Sequence, residues 1–260
     1  MNVYEDLEKI RKTRPLIHHI TNFVVMNDSA NITLSLGASP IMAHAKEELE
    51  DLISIADAVY INIGTLDSSW IESMLIAAEL SGKYNKPLLL DPVGSGASKL
   101  RTNVSLKILG YGSVKILKGN SGEILSLYGQ KGAIKGVDSL SEGNMKIVEE
   151  LAEKYNLTVI STGKYDYVSD GKRNAVIKNG TEMLGKITGS GCMLGSVISS
   201  FMAVNRDYFV SSVEGLLTFE IAGELAEKFS SGPGSFRGNL IDSIGSIEEK
   251  HYAMSRVEFL

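Results

Sequence analysis

The chain of 260 residues has one cysteine, Cys192, which excludes an intrachain disulfide framework and a cysteine-based zinc site and makes a reducing compartment the expected home. It has no apolar run near the ~18 residues that a membrane-spanning helix needs. Its net charge is −5, with both signs mixed along the chain, so it offers no basic footprint for nucleic acid. It opens on MNVYEDLEKIRKTRP, a charged amphipathic stretch unlike a signal peptide. There is no internal repeat, low-complexity tract or Pro/Ser-rich linker, so one domain over 1–260 is expected. Histidine is scarce, with four in all. His18 and His19 are adjacent and would point to opposite sides of a strand, and neither His44 nor His251 has ligand-like neighbours; no structural metal is expected. With 43% hydrophobic and 22% charged residues, the expectation is a soluble cytoplasmic globule with a sizeable core.

Against these absences stands a regular order of segments. Short apolar runs end in Gly, Asp, Asn or Thr: DAVYINIG (57–64), KPLLLDPVG (86–94), GSVKILKGN (112–120) and LTVISTG (157–163). Their nearly continuous Val, Ile and Leu predict strands buried on both faces, and PLIHHITN and ASPIMA add two more candidates. Helical patterns lie between them at 46–56, 68–82 and 142–156. Repeated alternation of this kind predicts an α/β fold, a central and mainly parallel sheet flanked by helices on both faces. YDYVSDGKRNAVIKNG alternates and carries Asp-Gly and Asn-Gly, which predicts a β-hairpin at the sheet edge. From Cys192 to about Ile247 the chain reads as mostly helical.

Ligands of open α/β sheets bind beyond the carboxyl ends of the strands, so the residues closing each run are the first candidates for function. Asp91, at the end of the LLL strand and before Pro92-Val93-Gly94, would point a carboxylate into that crevice; as Asp-Pro it could equally initiate a turn. In Lys118-Gly119-Asn120-Ser121-Gly122-Glu123, Lys118 could offset phosphate charge, Asn120 could orient water or phosphate, and Glu123 could supply a second carboxylate for magnesium. Asn120 and Glu123 also have the N-cap to N3 spacing of a capping box.

The lone cysteine stands in ITGSGCMLGSV (187–197), where a glycine loop turns into an almost uncharged helix. Gly189 and Gly191 would give the backbone conformations barred to other residues, and the first N–H groups of the helix would form an anion hole. A thiol at the first helical position would have a lowered pKa and could accept a proton from an alcohol. The alternative is a small buried hydrophobe beside a tight turn. No G-x-x-x-x-G-K-[ST] occurs, which excludes a P-loop, and three residues rather than two separate Gly191 from Gly195, which disfavours the dinucleotide fingerprint.

Strand-DPVG, strand-KGNxxE and ITGSGC, in that order, resemble the ribokinase-like superfamily. HHITNFVVMNDSANITLSLGASPIMAHAKEELEDL followed by VYINIGTL narrows the likeness to the hydroxyethylthiazole kinases of thiamine salvage, and the likeness runs from His18 to about Asp242, SSGPGSF included. The resemblance implies transfer of the γ-phosphoryl group of ATP, with Mg²⁺, to the primary alcohol of hydroxyethylthiazole. It implies Cys192 as the base where many relatives carry Asp, Gly189 and Gly191 as the anion hole, and Gly189 near the substrate. By the same resemblance Asp91 and Glu123 are the Mg²⁺-phosphate carboxylates, while Thr162, Asn120 and Lys118 are on the ATP side. Lys118 stands where the family often has Arg and forgoes the bidentate fork. Asn22 and Met42 resemble thiazole-pocket residues. The family is a homotrimer with that pocket between subunits.

Three rival functions follow from the same residues. Hydroxymethylpyrimidine and pyridoxal kinases share the fold, and some share the cysteine; the block TNFVVMNDSAN favours the thiazole. A nicotinamide-nucleotide-hydrate dehydratase driven by ATP or ADP would carry Asp in place of Cys192. A nucleotide sensor would bind ATP without turning it over.

Overall fold

The computed structural model describes residues 2–129 and 140–260, with side chains described outside 140–143. The strands are β1 (Leu16–Ile20), β2 (Ser39–Met42), β3 (Ala58–Asn62), β4 (Leu88–Asp91), β5 (Val114–Asn120), β6 (Thr158–Thr162), β7 (Asp166–Ser169), β8 (Asn174–Ile177) and β9 (Val257–Phe259). They form one nine-stranded sheet in the order β2-β1-β3-β4-β5-β6-β7-β8-β9. The first six run parallel to their neighbours and the last three antiparallel. The helices are α1 (Val3–Thr13), α2 (Met26–Leu36), α3 (Leu49–Ile55), α4 (Ser68–Lys83), α5 (Lys99–Gly110), α6 (Ser121–Tyr128), α7 (Leu140–Tyr155), α8 (Ser190–Val204), α9 (Tyr208–Lys228) and α10 (Pro233–Gly245).

The alternation of side chains along each strand feeds two cores. Ala58 and Tyr60 of β3, Leu89 of β4 and Ile116 of β5 pack with α1, α2, α8, α9 and α10. Val59 and Ile61, Leu88 and Leu90, and Leu117 point to the other face and pack with α3 to α7. Burial on both faces is why these runs read as continuously apolar.

Several expectations shift in detail. The helix over 46–56 contracts to α3, preceded by a turn at 46–48. The hairpin forms, turning at Asp170-Gly171 with Gly171 at φ +83°, but it is not the sheet edge. The three residues of β9 return from the chain's end to pair with β8 and take that position. The second turn signal, Asn179-Gly180, lies beyond β8: the Asn179 side chain ties to the Met254 carbonyl and Glu224. His18 and His19 face opposite sides as expected, bonding the Ala43 carbonyl and the Ser196 hydroxyl respectively. Burial pulls His19 down to about 3, so it is neutral.

One buried group makes the fold sensitive to alkali. Glu214 of α9 is fully buried, and among the described residues neither of its carboxyl oxygens receives a donor. Burial, then the charge of Asp6, raises its pKa from 4.5 to about 9. The folded protein therefore keeps a proton that the unfolded chain releases. Stability held below the unfolded value of 4.5 is lost as pH climbs toward 9. Glu214→Gln should thus leave the thermal midpoint at pH 5 nearly unchanged and raise it by several degrees at pH 8. An equal shift at both pH values in a melting series would contradict the assignment.

Candidate active site

The strand order reverses between β1 and β3, and at such a switch point helices leave the sheet in opposite directions and open a crevice at its carboxyl edge. The site residues gather there. Asn22 follows β1, Asn62 ends β3 and Asp91 ends β4, with Asn62 and Asp91 register partners. Lys118 and Asn120 belong to the end of β5, and Thr162 closes β6 opposite Asn120.

Above this edge α8 begins at Gly189, whose φ of +85° makes it a left-handed N-cap. A Cβ there would overlap Val25 Cγ1, so glycine is required twice, by backbone conformation and by contact. Gly191 departs from expectation: its φ is not positive, and a Cβ there would meet the Lys118 ammonium at 3.4 Å, an ordinary contact. Cys192 is the third residue of α8, not the first. Met193 N donates to the Gly189 carbonyl at 2.9 Å, closing the first turn. The N–H groups of Ser190, Gly191 and Cys192 precede that bond and are the donors of a helix N-terminus.

A buried polar network lies beneath. Asp91 Oδ2 accepts from Lys118 Nζ at 2.9 Å and from Asn62 Nδ2 at 3.1 Å, with Tyr60 Oη 3.1 Å away. Lys118 Nζ also donates to the Gly191 carbonyl at 2.8 Å, and Tyr60 Oη lies 3.0 Å from the Cys192 carbonyl. Asn22 Nδ2 reaches Asn62 Oδ1 at 2.8 Å and the Cys192 Sγ at 3.6 Å. Lys118 is thus not a free surface cation: it is buried and neutralises Asp91 directly under the glycine loop. Burial alone would pull the ammonium down, but Asp91 and its neighbours outweigh burial and hold it above its ordinary value.

The expected lowering of the Cys192 pKa is overturned. Burial pushes the thiol up to about 11, the Asp91 charge adds to this, and Lys118 opposes it only in part. The helix N-terminus cannot offset a buried thiol facing a carboxylate, so Cys192 is protonated at neutral pH.

The capping box is realised: Asn120 Oδ1 accepts from Glu123 N at 2.9 Å, and Glu123 Oε2 accepts from Asn120 N at 2.8 Å. Glu123 Oε1 accepts from Gly94 N at 2.8 Å, which joins the DPVG turn to α6. Cap and site are compatible readings, because each Glu123 oxygen keeps a lone pair free. The two carboxylates expected for magnesium, Asp91 and Glu123, both stand at this carboxyl edge, Asp91 at the end of β4 and Glu123 in the first turn of α6. Burial raises the Asp91 pKa, Lys118 opposes the rise and the Glu123 charge adds to it, so the two carboxylates sense each other. Among the described residues no cluster of three His, Cys, Asp or Glu could hold a metal alone. Two carboxylates fit a magnesium ion that takes its other ligands from phosphate and water.

A cavity of about 800 Å³ runs from Asn120 and Thr162 past Ser190 and Gly191 to Glu220. Thr162 Oγ1 donates to the Gly119 carbonyl at 3.3 Å and faces this space. Two buried acids at its wall carry no signal in the sequence, Asp166 of β7 and Glu220 of α9. Burial raises both, Asp166 to about 7, and the charges of Asp166 and Glu224 add to the rise of Glu220. Asn22 and Met42 do not line this cavity; Asn22 follows β1 and touches the Cys192 Sγ, and Met42 ends the neighbouring strand β2. Asn62 closes its run, where the sequence places its first candidates, whereas Tyr60 and Arg101 carry no such signal. Arg101 donates to the carbonyls of Ile63, Gly64 and Val93, clamping the turns after β3 and β4.

A mainly parallel sheet flanked by helices on both faces, with a glycine-capped helix opening over its carboxyl edge, is the ribokinase-like architecture. The pyridoxal kinase of Staphylococcus aureus shares this fold, with a TM-score of 0.64 over 95% of this chain and 98% of that one, at 16% identity. Residues 7–250 match the model of the hydroxyethylthiazole kinase family, and the chain belongs to that family. It is 54% identical over 254 residues to the hydroxyethylthiazole kinase of Caldivirga maquilingensis, covering 97% of this chain and 96% of that protein. The structure of the hydroxyethylthiazole kinase from Pyrococcus horikoshii superposes with a TM-score of 0.93 over 99% and 98% of the two chains, at 47% identity.

Proposed function

We propose that the protein transfers the γ-phosphoryl group of ATP to the primary alcohol of hydroxyethylthiazole, a step of thiamine salvage. The observation that carries this reading is 54% identity to a hydroxyethylthiazole kinase over almost the whole of both chains, and the site chemistry agrees with it. ATP would occupy the cavity beside Asn120 and Thr162, with its terminal phosphate at the free N–H groups of Ser190, Gly191 and Cys192. Asp91 and Glu123 would hold Mg²⁺, which supplies charge neutralisation on the phosphate oxygens. The thiazole would lie beyond Cys192, against Asn22 and Met42, an amide and a polarisable thioether suited to a small sulfur heterocycle. The assembly is a homotrimer whose subunits share that pocket, working in the cytoplasm. Among the described residues no helix is long and apolar enough to cross a membrane.

Loose phosphoryl transfer draws most of its acceleration from positioning and charge stabilisation and little from activation of the nucleophile. The anion hole therefore carries the chemistry, and the neutral Cys192 thiol orients the alcohol. Cys192→Ala should lower kcat by less than about tenfold, and Cys192→Asp, which offers a carboxylate, should retain or raise it. A fall of a thousandfold in the alanine variant would make the thiol an obligatory base.

The direct test incubates the purified protein with ATP, Mg²⁺ and hydroxyethylthiazole and looks for the thiazole phosphate by mass spectrometry. Product in stoichiometry with ADP supports the reading. ADP without thiazole phosphate would overturn it.

A further inference from the structure

Tyr60 lies at the centre of the network beneath the glycine loop and has no part in the function given above. Its ring is fully buried on β3, and Gly195 of α8 lacks a Cβ where one would run into the phenol oxygen. Asn62 Nδ2 donates to that oxygen at 3.0 Å. The hydroxyl has one proton and two acceptors within reach, Asp91 Oδ2 at 3.1 Å and the Cys192 carbonyl at 3.0 Å. Beside it, Lys118 spans from the same Asp91 oxygen to the Gly191 carbonyl.

Two paths therefore run from one carboxylate oxygen to two successive carbonyls of the first turn of α8. Lys118 makes the first directly, and the second passes through Asn62 Nδ2, which donates to Asp91 Oδ2 and to Tyr60 Oη and leaves the phenol proton for the Cys192 carbonyl. Peptide planes are rigid, so a carbonyl held in place also fixes the N–H across its own amide bond. Lys118, holding the Gly191 carbonyl, aims the Cys192 N–H, one of the free donors at the helix start. Tyr60, holding the Cys192 carbonyl, aims the Met193 N–H, which closes the turn onto the Gly189 carbonyl at 2.9 Å.

We propose that the Tyr60 hydroxyl is a positioning residue that locks the anion-hole turn to Asp91, so that the phosphate donors are aimed before the reaction begins. It touches neither substrate nor reacting phosphate and acts through the α8 backbone. Donors fixed in advance matter most where charge develops, in the transition state. Loss of the hydroxyl should accordingly lower kcat and leave ground-state binding alone.

This inference rests on the kinase reading, so wild type is assayed alongside. Tyr60→Phe removes one oxygen and keeps the ring. The expected result is a fall in kcat of about tenfold or more, with KM for hydroxyethylthiazole and the calorimetric Kd for ADP both within about twofold of wild type. A merely structural hydroxyl would lower the thermal midpoint and leave kcat per folded protein unchanged, and that result overturns the proposal. A raised KM with unchanged kcat overturns it as well. Should the Phe variant fold poorly, 3-fluorotyrosine at position 60 keeps the ring and strengthens the donor. A kcat change above twofold at fixed KM then supports the lock, and no change refutes it. A wild-type protein inactive on the thiazole would refute the kinase reading and, with it, this inference.

Discussion

Gly189→Ala should lower kcat by about a hundredfold or more while the protein still folds. Removal of a single preorganised donor from an oxyanion-type site costs about 10²–10³ in rate, and this substitution disturbs the whole turn. Alanine at φ +85° is strained, and its Cβ would overlap the buried Val25 side chain just ahead of α2. The turn must move, and the N–H groups of Ser190, Gly191 and Cys192 move with it. The cost to stability is smaller, a few degrees in midpoint, because the strain is confined to one loop. Gly238→Ala is the control: nothing lies within 4 Å of a Cβ there, in the middle of α10, so activity should be kept. Steady-state kinetics on the two variants decide the matter. A Gly189→Ala enzyme within tenfold of wild type would mean that the turn does not hold phosphate.

Asp91→Asn should be the most damaging single change to the network in both stability and rate. The Asp91–Lys118 pair is buried, and its removal on one side leaves the Lys118 ammonium without a counter-charge. Breaking a buried pair in this way costs about 3–5 kcal/mol, or roughly 10 °C in midpoint for a chain of this size. The carboxylate proposed for Mg²⁺ goes with it, so kcat should fall by at least a hundredfold. Adding Lys118→Met separates the two effects. The double variant removes both charges and should recover most of the midpoint, since replacing a buried pair with apolar groups is often neutral. Activity should stay lost. Recovery of activity with stability would make the pair purely structural.

Strand ends, the glycine loop and the late helices could be read from the sequence because each is a local pattern: an apolar run closed by Asp or Asn, or GxG followed by uncharged residues. Asp91, Lys118, Asn120, Thr162 and Gly189 were found that way, and the sheet brings them to one edge. What escaped depends on distant contacts. Tyr60 looks like one more apolar residue of a buried strand, and only the packing of α8, 132 positions later, gives its hydroxyl a partner. Glu220 sits in a helix with acidic neighbours, and its burial follows from the cavity wall. The Cys192 thiol was misjudged because the helix start is visible in the sequence, whereas its burial and the nearby Asp91 charge are not. β9, three residues long, carries no periodicity and exists because β8 offers it an edge.

The measurement that tests the account most directly is a side-by-side comparison of kcat/KM for hydroxyethylthiazole, hydroxymethylpyrimidine and pyridoxal, with ATP and Mg²⁺. Turnover of the thiazole should stand about a hundredfold or more above that of the other two alcohols. Efficient phosphorylation of either competitor, with the thiazole ignored, would contradict the pocket built from Asn22 and Met42 and the function proposed for this chain.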